Sequence, residues 1–340
     1  MPRNKSLTRL TAAAVLMSAV AGSATAANVE WKFNNGLPET RNESKELNMF
    51  AEQIGKNSGG KFKVKVYHGG SLGLKNADVL RWLPTGASEM GLVWANYVGR
   101  DAPALNAIYI QGSVGSPDEH LKALPVIRDI YEKEFANWGI HAVGFMALPM
   151  LEASIFCKDA PVNSLAELRK KKLRVWSKDQ VDTFERLGVA AQIVPQTEMY
   201  VAMKTGVVDC AVYPALYAHT VSLGEVAKYA SYLYPIAGLP YVLGASQKKW
   251  ASLSDDMKQA ATNAAAEVWK RTNEYSDDHA KEMKAREKLG TQGVKWLDDF
   301  SAEDRRAFLD AASQTWKATA ESAGGNAPAY RERVLKAIGR

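Results

Sequence analysis

From Val29 onward, the sequence alternates between segments with the periodicity of β-strands and segments with the periodicity of α-helices. Val29 to Asn34 has the composition of a short strand, and the segment after Asn42 repeats apolar residues at the helical spacing i, i+3, i+4 and i+7. From Phe62, apolar residues alternate with lysines, which is typical of a half-buried strand. This order of elements predicts an α/β fold with a largely parallel sheet.

Later segments continue this alternation and indicate where helices begin and end. A helix is expected from about Asn76 to Leu83, and a strand from Met90 to Trp94. Three more helices are predicted to begin at serines that are followed three residues later by an acidic residue, the capping-box pattern, at Ser116, Ser164 and Ser301. Residues 250–289 contain no Pro or Gly, which predicts one long helix from near Ser254 to Gly290.

The ends of the predicted strands supply the first candidate ligand contacts. In open α/β sheets, ligands bind beyond the carboxyl ends of the strands. Asn34 lies at the end of the first predicted strand, and Trp94 and Tyr97 follow the third. We therefore treat these three residues as candidates for contact with a ligand.

The first 26 residues are set apart from the fold. Arg3, Lys5 and Arg9 form a positive segment, residues 10–20 are apolar, and a small-residue cleavage site ends at Ala26. This pattern predicts a secretory signal peptide that is cleaved near Ala26, and therefore an exported protein. In a bacterium with two membranes, such a protein is expected in the periplasm.

Charge and motif content argue against several other classes of function. The net charge is +6, and removal of the signal peptide, with three basic residues and no acid, lowers it to about +3 by the same count. No basic stripe interleaved with aromatic residues is present, so we expect no nucleic-acid partner. The five histidines are scattered, and no metal-binding or phosphate-binding motif occurs, so neither a metal site nor a cofactor is predicted.

One motif keeps an enzyme alternative open. Gly69 to Gly73 matches the Gly-x-Ser-x-Gly pattern of serine hydrolases, with Ser71 at the position of the nucleophile. No His-Gly-Gly-Gly oxyanion segment precedes it, and no histidine has a recognisable triad context. We therefore expect no enzymatic activity and no catalytic residues.

The sequence contains two cysteines, Cys157 and Cys210, in a chain predicted to enter an oxidising compartment. If the strands around them pair in antiparallel fashion, Cys157 opposite Cys210 also places Ser154 opposite Tyr213. We predict a disulfide on this basis. The alternative is two separate buried thiols.

Arg174 is the principal candidate for ligand binding. It lies in the short strand-like segment Leu173 to Trp176, whose apolar residues suit a buried strand. A guanidinium group that leaves such a strand toward a cleft can hold a carboxylate through two parallel hydrogen bonds. The alternative is that Arg174 is the last cation of the solvated basic run at residues 169–172.

The stretch around Arg174 resembles the periplasmic solute-binding subunits of TRAP transporters. The resemblance rests on "KLRVW" at 172–176, on "LGVAAQIVPQTEMYVAMKTGVVD" at 187–209, and on shorter landmarks in the same order across the chain, such as "FAEQI" at 50–54. It implies that Arg174 holds the carboxylate of the substrate. It also implies a two-lobed periplasmic binding protein fold, with a β-sheet flanked by helices in each lobe, hinge strands and a long helix that spans both lobes.

The resemblance also implies a domain organisation and partners. The expected order is a signal peptide at 1–26, an N-terminal lobe at 27–150, a C-terminal lobe at 151–245, and helices at 246–340 that pack on both lobes. The partners would be a small organic acid and membrane permease subunits driven by an ion gradient. The alternative is a sensor that presents its ligand to a signalling kinase, because such a protein needs the same cleft.

Departures from the family pattern bear on the choice of ligand. Ser154 stands where many members have a second arginine, and Tyr213 replaces a frequent asparagine, so a dicarboxylate would lack its usual second partner. We therefore expect a monocarboxylate with an apolar or aromatic body. Aromatic residues are candidates to line the site, although each could instead fill a core: Trp94, Tyr97, Phe145, Trp176, Tyr213 and Tyr217.

Overall fold

The computed structural model describes Met1 and residues 28–340, so the predicted signal peptide lies outside the described residues except for Met1. Within residues 28–340 it contains eleven strands: β1 (Val29–Asn34), β2 (Phe62–Tyr67), β3 (Met90–Val93), β4 (Ile140–Met146), β5 (Met150–Cys157), β6 (Leu173–Val175), β7 (Ala191–Ile193), β8 (Cys210–Pro214), β9 (Tyr229–Ala237), β10 (Tyr241–Ser246) and β11 (Lys295–Trp296).

The same residues form fourteen α-helices: α1 (Asn42–Asn57), α2 (Val79–Thr85), α3 (Pro103–Asn106), α4 (Pro117–Asn137), α5 (Leu165–Leu168), α6 (Lys178–Arg186), α7 (Met199–Thr205), α8 (Ala215–Ala218), α9 (Leu223–Val226), α10 (Gln247–Ala251), α11 (Asp255–Thr272), α12 (Asp278–Thr291), α13 (Ala302–Ala323) and α14 (Ala327–Ile338). The predicted serine caps are confirmed, since the side chains of Ser116, Ser164 and Ser301 each accept the backbone N–H three residues on.

Two sheets divide the chain into two lobes, each with its own apolar core, as the fold class requires. The first sheet has the order β2-β1-β3-β10-β4, and the second has the order β11-β9-β5-β8-β6-β7. The strands predicted near residues 29, 62 and 90 are confirmed as β1, β2 and β3. The expected lobe boundary at 245 falls within β10, a strand of the first sheet.

The prediction of a largely parallel sheet is confirmed in both lobes, with one antiparallel strand in each sheet. β10 runs antiparallel to β3 and β4, and β5 runs antiparallel to β8 and β9. The antiparallel members are strands that enter a sheet from the other lobe. Their direction is set by the crossing of the chain, which strand periodicity does not reveal.

The predicted pairing of β5 with β8 and the disulfide are confirmed. Cys157 lies opposite Cys210, Ser154 lies opposite Tyr213, and a disulfide joins the two cysteines. Both cysteines are buried in the core of the second lobe. The bond therefore fastens the end of β5 to the beginning of β8.

Before α13, the chain passes between the lobes at three neighbouring places. β4 of the first sheet continues through residues 147–149 into β5 of the second, and β9 returns through residues 238–240 to β10. The third passage is the segment between α11 and α12. α11 packs on α1 and β4 of the first lobe, whereas α12 packs on β5 and α8 of the second.

The prediction of one uninterrupted helix from Ser254 to Gly290 is therefore wrong. The helix stops at Thr272 and resumes at Asp278, and Gly290 lies inside α12. In the interruption, Tyr275 is buried with its ring edge against His120, and the carboxylate of Asp278 accepts the backbone N–H of Met150 at 2.8 Å. These tertiary contacts outweigh the helix propensity of the segment, which is a weak preference for each residue.

A different helix, α13, spans the two lobes. Near its start, Phe308 stacks on Tyr234 of the second core with ring centroids 4.0 Å apart. Two turns later, Trp316 belongs to the first core and donates its indole N–H to the carbonyl of Ala107 at 2.7 Å. The lobe-spanning helix implied by the resemblance is thus present, but near the end of the chain.

Candidate functional site

A cavity lies between the lobes, beside the strands that cross from one to the other. Arginines, amides and aromatic rings from both lobes and from the crossing segments line it: Arg41, Trp94, Tyr97, Gln111, Leu148, Leu151, Arg174, Trp176, Gln196, Tyr213, Pro214, Tyr217, Ile236, Gly238 and Tyr241. The site combines apolar walls with a few polar groups, which is the usual composition of a small-molecule site.

Arg174 reaches this cavity from β6 with its guanidinium group held by the backbone. Nε donates to the carbonyl of Val194 at 2.9 Å, and Nη1 donates to the carbonyl of Val212 at 3.2 Å. A guanidinium has about five N–H donors, so these two bonds leave three. Within the described residues, no protein acceptor takes these three donors and no carboxylate forms an ion pair with Arg174.

The charge of Arg174 is consequently uncompensated. The side chain is almost completely buried, and burial lowers the pKa of Arg174 to about 10. The neighbouring groups are the rings of Trp176 and Tyr213, each with its centroid 5.7 Å from the guanidinium carbon. A buried, fixed and unpaired cation that faces a cavity is suited to bind an anion.

Arg41 supplies a second guanidinium group, which the sequence analysis missed. It precedes α1 and forms a two-point ion pair with Glu43, with Nε to Oε2 at 2.9 Å and Nη2 to Oε1 at 2.5 Å. Its planar group stacks on the ring of Tyr217 at 3.4 Å. A cation at a helix N-terminus opposes the helix dipole, so the position of Arg41 just before α1 was a usable signal.

The two arginines differ in their electrostatic state. Burial alone would lower the pKa of Arg41, but the adjacent Glu43 carboxylate raises the pKa well above its usual value. Burial would likewise raise the pKa of Glu43, and Arg41 instead holds it below its usual range. Arg41 and Glu43 therefore form a neutral pair, and Arg174 carries the charge that an anion can compensate.

The structure brings six of the nine predicted site residues together around the cavity: Trp94, Tyr97, Arg174, Trp176, Tyr213 and Tyr217. Three lie elsewhere. Asn34 donates its amide to the carbonyl of Leu74, and Phe145 packs beneath Arg128 in the first core. Ser154 is fully buried on β5 without lining the cavity.

The cavity also contains polar residues that the sequence analysis did not select, chiefly Gln111 and Gln196. Among the described residues, neither the Nε2 nor the Oε1 of Gln111 has a hydrogen-bond partner, and the same holds for Nε2 of Gln196 and Nε1 of Trp176. No sequence motif marks these glutamines. The fold alone places them at the site.

Glu282 of α12 positions the part of the site that carries Tyr217. Its carboxylate accepts the backbone N–H groups of Ala215 and Leu216, at 2.8 and 2.9 Å, at the start of the helix that contains Tyr217. Burial raises the pKa of Glu282 to about 7, against the lowering effect of these two hydrogen bonds. The folded chain therefore holds a proton on Glu282 that the unfolded chain releases near its ordinary pKa.

This shift predicts a pH dependence of stability. Because the folded pKa is raised, the free energy of unfolding should fall by up to about 3 kcal/mol as the pH rises from about 4.5 to 7. In Glu282→Gln this contribution should be absent, so the variant should lose less stability than the wild type between pH 5 and pH 8. Urea unfolding at both pH values measures the difference, with Glu287→Gln on the exposed side of α12 as the control. Equal pH profiles for wild type and Glu282→Gln would contradict the assignment.

The described residues offer no support for two other kinds of site. They contain no cluster of three or more His, Cys, Asp or Glu side chains that could hold a metal ion. Ser71 is exposed in a turn, and within residues 28–340 no hydrogen bond joins its hydroxyl to a histidine. Over the same residues, no helix is both long and apolar enough to cross a membrane.

Comparison with known proteins agrees with this architecture. The C4-dicarboxylate-binding periplasmic protein DctP of Rhodobacter capsulatus is 26% identical over 336 residues, which cover 93% of each chain. An extracytoplasmic solute receptor of Bordetella pertussis that binds pyroglutamic acid has a TM-score of 0.81 at 20% identity, covering 92% of this chain and 100% of the other.

A TRAP periplasmic solute-binding protein of Roseobacter denitrificans, with bound β-D-glucuronate, has a TM-score of 0.76 at 23% identity and covers 91% of this chain and 98% of the other. These two structures share the two-lobed fold. Residues 33–323 match the model of the DctP family, described as bacterial extracellular solute-binding protein, family 7. The chain therefore belongs to this family, that of the periplasmic solute-binding proteins of TRAP transporters.

Proposed function

We propose that this protein is an exported receptor that captures a small monocarboxylate between its lobes and delivers it to the permease subunits of a TRAP transporter. The signal peptide would be removed near Ala26, and the mature protein would act in the periplasm. The single observation that carries the proposal is the uncompensated charge of Arg174, which is buried at the cavity with three N–H donors free.

The mechanism follows from the position of this charge. Two of its N–H groups are fixed by backbone carbonyls, so the guanidinium plane is oriented before the ligand arrives. Closure of the lobes around the ligand would exclude water and strengthen the attraction between carboxylate and guanidinium. The charge of Arg174 would then be compensated by the ligand, which favours the closed form when ligand is bound.

The preference for a single carboxylate rests on the Arg41–Glu43 pair. The position of Ser154 lacks an arginine, and the second guanidinium of the cavity, Arg41, is already neutralised by Glu43. A second carboxylate would therefore find no free cation. The rings of Trp94, Tyr97, Trp176, Tyr213 and Tyr217 would pack on the body of the ligand.

The neutralisation of Arg41 leads to a prediction about selectivity. In Glu43→Gln, Arg41 keeps a hydrogen-bond acceptor but gains a net charge, so affinity for malonate relative to propionate should rise about tenfold. Titration calorimetry of wild type and variant with both acids measures the ratio. Glu46→Gln, on the same helix but paired with Arg271, is the matched control. An unchanged ratio in a folded Glu43→Gln variant would contradict the role given to the pair.

The proposed function is tested by a thermal-shift screen of the mature protein against organic acids and their uncharged amides. Ligands that bind only the native state raise the melting temperature by mass action. We expect stabilisation by monocarboxylates and none by the corresponding amides, because the amides carry no charge for Arg174. Stabilisation by sugars or amines, with no response to any carboxylate, would overturn the proposal.

A further inference from the structure

One wall of the cavity contains buried polar groups with no hydrogen-bond partner among the described residues. Gln111 is 2% exposed, and neither its Nε2 donor nor its Oε1 acceptor forms a hydrogen bond within residues 28–340. The indole N–H of Trp176 is likewise buried and forms no hydrogen bond within these residues. Each unpaired buried group costs about 1–3 kcal/mol. At a binding site, we expect such groups to form hydrogen bonds with polar atoms of the ligand.

The two residues are held side by side by the first turn of α6. The backbone N–H of Gln111, in the first lobe, donates to Oδ2 of Asp179 at 3.1 Å. The backbone N–H of Trp176 donates to the side chain of Gln180 at 3.0 Å. Gln111 thus lines the cavity while its backbone is fixed to the second lobe.

The unpaired atoms restrict the chemistry of the ligand. A second carboxylate could accept from Gln111 Nε2 and Trp176 Nε1, but it would leave Gln111 Oε1 unpaired. An ammonium group could satisfy only Oε1. A neutral group with both a donor and an acceptor satisfies both side-chain atoms of Gln111, and a cyclic amide presents its N–H and C=O on one edge, as the carboxamide of Gln111 does.

On the basis of the proposed function, we infer that the ligand is a small carboxylic acid with a neutral cyclic amide, a lactam carboxylate. Arg174 binds its carboxylate, and Gln111 binds its amide through two antiparallel hydrogen bonds, one donated by Nε2 and one accepted by Oε1. The second lone pair of the amide carbonyl is available to Trp176 Nε1. Gln111 is then the residue that makes the site bind this ligand more tightly than apolar acids of the same size.

The test is calorimetry with two ring acids that differ in the amide alone, pyroglutamate and cyclopentanecarboxylate, and with 2-hydroxyisovalerate. In the wild type, pyroglutamate should bind about 100-fold more tightly than cyclopentanecarboxylate. Gln111→Leu should weaken pyroglutamate binding by about 100-fold and change cyclopentanecarboxylate binding by less than about threefold. Gln192→Leu, an exposed glutamine outside the cavity, should change neither.

The other possible results distinguish failure of the lactam inference from failure of the proposed function. Equal binding of the two ring acids by the wild type would overturn the lactam inference and leave the proposed function standing; this comparison needs no variant. Tighter binding of 2-hydroxyisovalerate, lost in Gln111→Leu, would show that Gln111 binds a hydroxyl group and would likewise overturn the lactam inference. Failure of all carboxylates to bind would remove the proposed function and the inference together.

Discussion

Replacement of Arg174 by methionine should abolish carboxylate binding without destabilising the ligand-free protein by more than about 3 kcal/mol. The loss of affinity should exceed about 30-fold, because truncation of one partner of a buried charge pair costs about 2–5 kcal/mol. Arg174→Lys should also lose most of its affinity, since lysine keeps the charge without the planar fork.

The limit on the loss of stability follows from two opposing contributions. The lowered pKa of Arg174 corresponds to a destabilisation of about 3 kcal/mol by the buried charge, which methionine removes. The same change leaves the carbonyls of Val194 and Val212 without their donors, at about 1–3 kcal/mol each. The site thus holds a charge whose compensation comes from the ligand.

Calorimetry and urea unfolding separate the two effects. Lys170→Met is the matched control, because it removes one positive charge from an exposed position in the same segment. It should alter neither affinity nor stability. If Arg174→Met bound carboxylates as tightly as Lys170→Met does, Arg174 would be a structural residue and the assignment of the site would be wrong.

Removal of the disulfide should have the opposite pattern, a large loss of stability with little change in binding. The bond closes a loop with a sequence separation of 53 residues. The chain-entropy account assigns such a loop about 4 kcal/mol. The double variant Cys157→Ala/Cys210→Ala should therefore have a free energy of unfolding lower by about 4 kcal/mol and a melting temperature lower by about 10 °C.

Binding should survive because neither cysteine lines the cavity. Cys157 lies six residues beyond Leu151, about 20 Å along β5, and Cys210 lies three residues before Tyr213, about 10 Å along β8. Reduction of the wild type with dithiothreitol should reproduce the lower stability and should have no effect on the alanine variant. A double variant as stable as the wild type, or one that is folded but unable to bind, would contradict this separation.

Much of the local structure was predictable because it depends on short-range patterns. The alternation from Phe62, the serine caps and the register that places Cys157 opposite Cys210 are set by side chains within one or two elements. The predictions were wrong where contacts between residues far apart in the sequence determine the structure. The interruption between α11 and α12 depends on the burial of Tyr275 and on the bond between Asp278 and Met150, and residue propensities carry no information about either.

The candidate site also contains both residues that the sequence could predict and residues that it could not. Arg174 was recognisable because residues 172–176 resemble the family pattern, since the strand pattern alone also fitted the end of a solvated basic run. The aromatic candidates followed from strand ends and from departures in the family pattern. Arg41 and Gln111 come to the cavity from loops, and their positions depend on how the two lobes meet. Phe145, also chosen as an aromatic candidate, instead packs in the first core beneath Arg128.

The most direct test of the account is a crystal structure of the mature protein with the tightest-binding acid of the screen. We expect closed lobes with both oxygens of one ligand carboxylate about 2.7–2.9 Å from the guanidinium nitrogens of Arg174, and the Arg41–Glu43 pair intact. A ligand bound between the lobes with no contact to Arg174, or with its carboxylate on Arg41 instead, would contradict the central claim.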